Sequence, residues 1–251
     1  MSKMKSMMTP DYARDPRREA KYTEGMHAQR FDVSEPGPRS QGMAAAAGAI
    51  GRGESIVLPT DTVYGIGCDP FQASAVQGLL ALKGRTRAMP PPVLVPDLAA
   101  ATDLVTYFPD SLTPALERFW PGGLTVILPA SPAVSWDLGD TGGTVALRMP
   151  AHDIALELLR LVGPLAVSSA NLTGQLPALR AEEAREQLGD GVAVYLDAGW
   201  VGQNYSDAPR HSGSTIIDAS SVGAGGPWRV VRRGVVPIEA LLSLLPGEWE
   251  D

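Results

Sequence analysis

Short apolar runs broken by glycine and proline alternate with segments of helical period along most of this chain. Residues 55–58 (SIVL), 93–95, 124–128, 144–147, 165–167, 192–196, 214–218 and 228–231 are brief, largely apolar and bounded by turn formers, the pattern of strands. Val76, Leu79, Leu80 and Lys83 recur at helical spacing and predict a helix over 73–83 that stops near Gly84. Ile154, Leu158, Leu161 and Val162 predict a second, clearly amphipathic helix over 152–162. Further helices are expected over the alanine-rich 43–50 and over 97–105, 111–119, 181–188 and 238–245. The alternation lacks the regularity of a barrel and predicts an α/β fold, a twisted open mixed sheet with flanking helices.

One stretch departs from the apolar pattern in an informative way. The strand at 55–58 ends at Pro59, which has no N–H to continue a ladder, and Thr60, Asp61, Thr62, Tyr64, Gly65 and Gly67 follow directly. Ordinary turn chemistry accounts for such a loop by itself. The pattern recurs, however. Strand 165–167 runs into Ser168, Ser169 and Asn171, strand 144–147 into Arg148 and His152, and strand 228–231 into Arg232, Arg233 and Gly234. If these strand ends share one edge of the sheet, their side chains converge on one crevice, with the glycines letting backbone approach a ligand. Lys83, Arg85, Arg148 and Arg232 would make it a cationic cleft suited to polyphosphate, because guanidinium pairs bidentately with phosphate oxygens and lysine adds a point charge.

Composition narrows the classes. With 251 residues, 44% hydrophobic and 20% charged, the chain reads as an ordinary globular protein. The net charge of −7 argues against a surface that clings broadly to nucleic acid, but says nothing about a local cleft. Apolar runs are too short for a membrane span, and the single cysteine, Cys68, excludes an internal disulfide and a cysteine-built zinc cage. A cytoplasmic location is the expectation. Residues 1–30 carry Lys3, Lys5, Arg14, Arg17, Arg18, Lys21 and Arg30 without apolar periodicity and are expected to form a disordered N-terminal extension, with Met26 an alternative start. Residues 31–246 read as one catalytic domain and 247–251 as a short tail. No GxxxxGK[ST], dinucleotide fingerprint, HExxH or serine-hydrolase elbow is present, and no metal held by protein ligands alone is expected.

PTDTVYGIG at 59–67, KGR at 83–85, WPGGLT at 120–125, TVALRMPAH at 144–152, SSANLTG at 168–174, STIID at 214–218 and RRG at 232–234 occur in the order found in the Sua5/YciO/YrdC family, which the chain therefore resembles. The resemblance covers nearly all of the compact region and points to a short, single-domain member with the YrdC-like α/β fold. It implies a nucleotidyltransferase that joins L-threonine, bicarbonate and ATP into threonylcarbamoyl-AMP, releasing pyrophosphate, for the t6A modification of adenosine 37 in tRNA. Residue by residue, it places Lys83 and Arg85 at catalytic and ATP positions. Thr60, Arg148, Ser168 and Ser214 fall on the L-threonine side, and Thr144, Ser169, Asn171 and Arg232 on the ATP side. Mg²⁺ would arrive on the nucleotide, and the downstream t6A machinery would be a partner; direct contact with tRNA stays open.

Two departures stand out: Met89-Pro90-Pro91-Pro92 follows KGR where a shorter spacer is usual, and Gly123 occupies a position where proline is common. Other readings remain beside the resemblance. One is a nucleotide- or RNA-binding module of the same fold without turnover. Another is a relative acting on a different carbamoyl acceptor, as in hydrogenase-maturation proteins, which the single cysteine disfavours because it leaves no zinc finger. The chemistry asks for positioning and charge stabilisation rather than a protein nucleophile.

Overall fold

The computed structural model describes residues 28–250. The expectation for residues 1–30 falls almost wholly outside them. Inside, an eleven-stranded mixed sheet runs in the order β1-β8-β2-β3-β7-β4-β6-β5-β9-β10-β11. The strands are β1 (Gln29–Asp32), β2 (Ile56–Leu58), β3 (Gly65–Cys68), β4 (Val93–Leu94), β5 (Leu124–Pro129), β6 (Thr144–Arg148), β7 (Leu165–Ser169), β8 (Val194–Asp197), β9 (Thr215–Asp218), β10 (Trp228–Arg232) and β11 (Trp249–Glu250). The α-helices are α1 (Pro36–Gly51), α2 (Ala73–Leu82), α3 (Leu98–Asp103), α4 (Thr113–Phe119), α5 (Asp153–Val162), α6 (Ala181–Leu188) and α7 (Ile238–Leu242). None of the described helices is long and apolar enough to cross a membrane.

Three strands differ from the sequence expectations. Strand β1 pairs in parallel with β8 from Gln29, inside the stretch expected to be an extension, and Trp249 in the expected tail pairs with Trp228. Strand β3 lies in the interior of the sheet between β2 and β7, although its sequence is Gly-Ile-Gly-Cys. Glycine is poor in strands unless something approaches closely. Here a Cβ on Gly65 would meet Val167 Cγ1 at 2.6 Å, and one on Gly67 would meet Val167 Cγ2 at 3.0 Å. The glycines make room for the neighbouring strand, and Gly65 also lines the cleft described below. Helix α1 also starts earlier than its alanine run, at Pro36, a residue whose fixed φ and missing N–H suit a first turn.

Alternation along the strands divides the core into two layers. Ile56, Leu58, Leu94, Leu165 and Val167 face α1 and α5 through Met43, Ala46, Ile50, Ile154, Leu158 and Leu159. Val57, Ile66, Val93 and Ala166, with Val126, Leu128, Val145, Leu147 and Ile217, face the opposite layer, which includes residues of α2, α6 and α7. Helix α1 packs against β1, β2, β8 and α5, at one end of its face. On β6 the alternate residues Thr144 and Ala146 are only half-buried, as are Ile127 on β5 and Ile216 on β9, while Val145, Leu147, Val126 and Ile217 are buried. A sheet covered on one side and open on the other gives this alternation.

Candidate active site

The half-exposed face becomes the floor of a cleft of about 420 Å³, within the range of small-molecule sites. Thr125 and Ile127, Thr144, Ala146 and Arg148, Val167 and Ser169, and Ser214 and Ile216 line it, each set spaced by two along the chain. The site therefore lies across a sheet face beside α1 and α5, rather than along one shared edge. Thr60, Arg85, Ser168 and Arg232 complete the expected residues that reach it.

Arg148 organises one end. Its Nη2 donates to Asp61 Oδ1 at 2.6 Å, its Nη1 to Thr62 Oγ1 at 3.1 Å and its Nε to the Gly122 carbonyl at 2.9 Å. The two side chains of the ion pair are 7% and 1% exposed. Asp61 also accepts from the Ala151 N–H at 2.9 Å and the Tyr205 hydroxyl at 2.7 Å, so three donors surround one buried carboxylate. A guanidinium carries five N–H donors. Those Arg148 does not spend on the protein remain for a carboxylate or phosphate in the cleft.

Thr60 and Asp61 thus divide the labour differently from the simplest reading of their loop. The Thr60 hydroxyl donates to the Val63 carbonyl at 2.6 Å and lies 3.3 Å from the Thr62 and Val63 N–H groups, so it holds the loop while one wall faces the cleft. Asp61 instead fixes Arg148. Tyr64 packs beneath, its hydroxyl donating to the Gly199 carbonyl at 2.8 Å and accepting from the Ala198 N–H at 2.9 Å.

At the other end, Arg85 Nη1 donates to Ser168 Oγ at 2.8 Å and its Nε is buried without a partner. Arg232 donates to the Ser214 carbonyl at 3.0 and 2.8 Å and to Ser214 Oγ at 3.0 Å, and that hydroxyl sits 2.6 Å from Thr125 Oγ1. Both arginines bind serine oxygens, and burial lowers the pKa of each, with Arg148 and Arg85 adding to the effect at Arg232.

Lys83 and Asn171, expected at the catalytic and ATP positions, are not among the cleft-lining residues. Lys83 is 1% exposed. Its ammonium donates to the Ser169 carbonyl, to the Asn171 carbonyl at 2.5 Å and, at 3.4 Å, to Asn171 Oδ1. The Thr173 hydroxyl and N–H return bonds to the Lys83 carbonyl at 2.7 and 3.1 Å. Asn171 spends its amide on the Leu172 and Gln175 carbonyls, both at 2.8 Å. Together they brace the 168–175 loop from behind. Burial first, then Arg85, pushes the Lys83 pKa down to about 7, while the carbonyl oxygens around it favour the ammonium form.

The proline-rich loop after KGR forms part of the rim through Met89, Pro90 and Pro91. It is tied to the 131–143 loop by Arg87, which pairs bidentately with Asp137 at 2.8 Å and lies 3.4 Å from Asp140. His152 occupies the N-cap position of α5 without capping it; its Nδ1 is buried and unpartnered, and burial lowers its pKa. Asp61, Thr62 and Tyr205 are the site residues that motif reading undervalued. A carboxylate between two threonines at a buried strand end was the available signal for Asp61; nothing local marks Tyr205, 144 positions away. Among the described residues no cluster of His, Cys, Asp or Glu could hold a metal ion.

Comparison with known proteins places this geometry. The family model Sua5/YciO/YrdC, described as "Telomere recombination", matches residues 48–234. A Mycobacterium tuberculosis protein provisionally named threonylcarbamoyl-AMP synthase is 48% identical over 217 residues, covering 86% of this chain and 95% of its own. The threonylcarbamoyl-AMP synthase of Idiomarina loihiensis is 39% identical over 193 residues, covering 74% of this chain and 90% of its own. The crystal structure of Pyrococcus abyssi Sua5 complexed with L-threonine superposes with a TM-score of 0.75 at 28% identity; it covers 90% of this chain, which spans 63% of that longer protein.

Proposed function

Since the chain belongs to the Sua5/YciO/YrdC family, we propose that its cleft makes threonylcarbamoyl-AMP from L-threonine, bicarbonate and ATP. The observation that carries the reading is the meeting of three guanidinium groups, Arg85, Arg148 and Arg232, with the hydroxyls of Ser168 and Ser214 in one cavity. No nucleophile is needed. The threonine amine and bicarbonate condense to a carbamate with loss of water; a carbamate oxygen then attacks the α-phosphorus, the bond to the β-phosphate oxygen breaks, and pyrophosphate leaves.

Negative charge accumulates on phosphate oxygens during that transfer, so pre-oriented cations provide the main acceleration. Arg85 and Arg232 hold the triphosphate. Arg148, fixed by Asp61, pairs its remaining N–H groups with the threonine carboxylate, and Thr60, Ser168 and Ser214 orient the amino acid. Thr144 and Ser169 contact the nucleotide, and Lys83 and Asn171 keep the Ser169 strand end in place. The cleft-lining polar groups are hydroxyls and guanidinium groups with one carboxylate, Asp140, which lies beside Arg87, a set that does not fit a protein-held Mg²⁺. The ion instead travels on the ATP phosphates. Residues 29–250, which include the edge strands β1 and β11, act as the catalytic domain, in the cytoplasm, and the adenylate passes to the transferase that modifies tRNA.

The test is pyrophosphate release from ATP with and without L-threonine and bicarbonate. Release that requires both is the expected result. Release indifferent to threonine overturns the reading, and nucleotide binding without release converts it to a binding module.

A further inference from the structure

The loop 198–213 lies outside the motifs of the sequence, and one of its side chains reaches the buried ion pair. Tyr205 Oη donates to Asp61 Oδ2 at 2.7 Å, while Arg148 and the Ala151 N–H take Asp61 Oδ1. A carboxylate engaged through both oxygens cannot rotate about its last bond without losing a partner. Tyr205 therefore sets the plane of Asp61, and Asp61 sets the guanidinium of Arg148.

Two independent features support a dedicated fit. The first is room. A Cβ on Gly123 would meet Tyr205 Oη at 3.1 Å, its Cζ at 3.2 Å and Val235 Cγ2 at 2.2 Å. The bare backbone at Gly123 leaves room for both Val235 and the phenol. The second is the partition. Thr62, which bonds Arg148 Nη1, lines the main cleft and also a second cavity of about 410 Å³ under the 198–213 loop; Tyr205 lines that cavity too. The phenol and Thr62 stand between the second cavity and the ion pair. Burial, then Asp61, raises the Tyr205 pKa, so the hydroxyl stays a donor at neutral pH.

We propose that Tyr205 is a positioning residue for the amino-acid subsite, acting through Asp61 on Arg148 without touching substrate. The inference rests on the assignment of Arg148 to the threonine carboxylate. Tyr205→Phe keeps the ring and removes the hydroxyl that donates to Asp61 and accepts from the Gly123 backbone. The expected result is a rise of about 5- to 20-fold in the KM for L-threonine, the size of one lost hydrogen bond, with the KM for ATP unchanged and kcat within about threefold. Calorimetric titration with L-threonine reads the same loss as a weaker Kd, independently of turnover. Unchanged threonine constants in Tyr205→Phe overturn the proposal. Equal worsening of the threonine and ATP constants together with a lowered unfolding midpoint also overturns it, because a purely structural role predicts that pattern. Wild-type protein that binds no L-threonine defeats the reading of the subsite itself, an outcome distinguishable from a normal wild type with an indifferent variant.

Discussion

Replacing Asp61 by asparagine probes the buried pair directly. Asp61→Asn preserves size but removes the charge opposite Arg148, whose side chain is 7% exposed. It also puts an amide NH₂ where one carboxylate oxygen accepted a donor, either Arg148 and Ala151 N or Tyr205. Breaking a buried ion pair from one side costs about 3–5 kcal/mol, because the remaining charge stays out of water without compensation. For a domain of this size that is a fall of about 6–20 °C in Tm, or about 1–2 M in the urea midpoint. Urea titration followed by tryptophan fluorescence and circular dichroism measures it.

Two companions isolate the pair: Arg148→Met and the double variant Asp61→Asn/Arg148→Met. Since removing both charges relieves the penalty that removing one creates, the double variant should be more stable than the sum of the single losses by about 2–3 kcal/mol, the coupling of groups in one network. A midpoint for Asp61→Asn within error of wild type, or strict additivity of the two single changes, refutes the argument that Asp61 holds Arg148.

Arg85→Gln should leave the unfolding midpoint nearly unchanged, because Arg85 makes one side-chain bond, to Ser168. It should reduce pyrophosphate release by about 10²–10³, the usual loss for a charge-stabilising donor; wild-type turnover would remove Arg85 from the chemistry. Lys83→Met removes the ammonium donor from the Asn171 carbonyl and from the half-buried Ser169 carbonyl, which keeps the Asn171 N–H; the cost is about 1–3 kcal/mol, thermal unfolding should record it, and an unchanged Tm would contradict the bracing role. For His152, burial sets the folded pKa below the ordinary 6.5. Its contribution to stability is whole above pH 6.5 and is lost as pH falls through the folded value, where the unfolded chain has taken up a proton that the native imidazole refuses. Wild type should therefore lose stability relative to His152→Asn as pH falls below 6.5, and parallel curves in scanning calorimetry would sink that account.

Much of this architecture is legible in the chain itself. The periodicity of α5 and α2 and the apolar runs of β5, β7 and β9 are local signals, because burial on one helix stripe or both sheet faces leaves its pattern in consecutive residues. The less legible elements are those whose reason lies elsewhere in the chain. Strand β3 reads as a glycine loop until Val167 of β7 is beside it, and β1 and β11 owe their strand conformation to Val194–Asp197 and Trp228–Arg229. Short strands without an alternating pattern are made by their partners.

The same division holds at the site. Residue types and motif order point to hydroxyls at 60, 168 and 214 and guanidinium groups at 85, 148 and 232, and all six line the cleft. Tertiary structure decided their surroundings. It laid the cleft across an open sheet face, turned Lys83 and Asn171 to brace a loop from behind, and used Asp61 to hold Arg148. It also brought Tyr205 across 144 positions to complete that clasp. A sequence shows what a residue can donate or accept, but hydrogen bonds and buried charge are settled between residues distant in the chain. Their assignment becomes definite only when the sheet has placed them together.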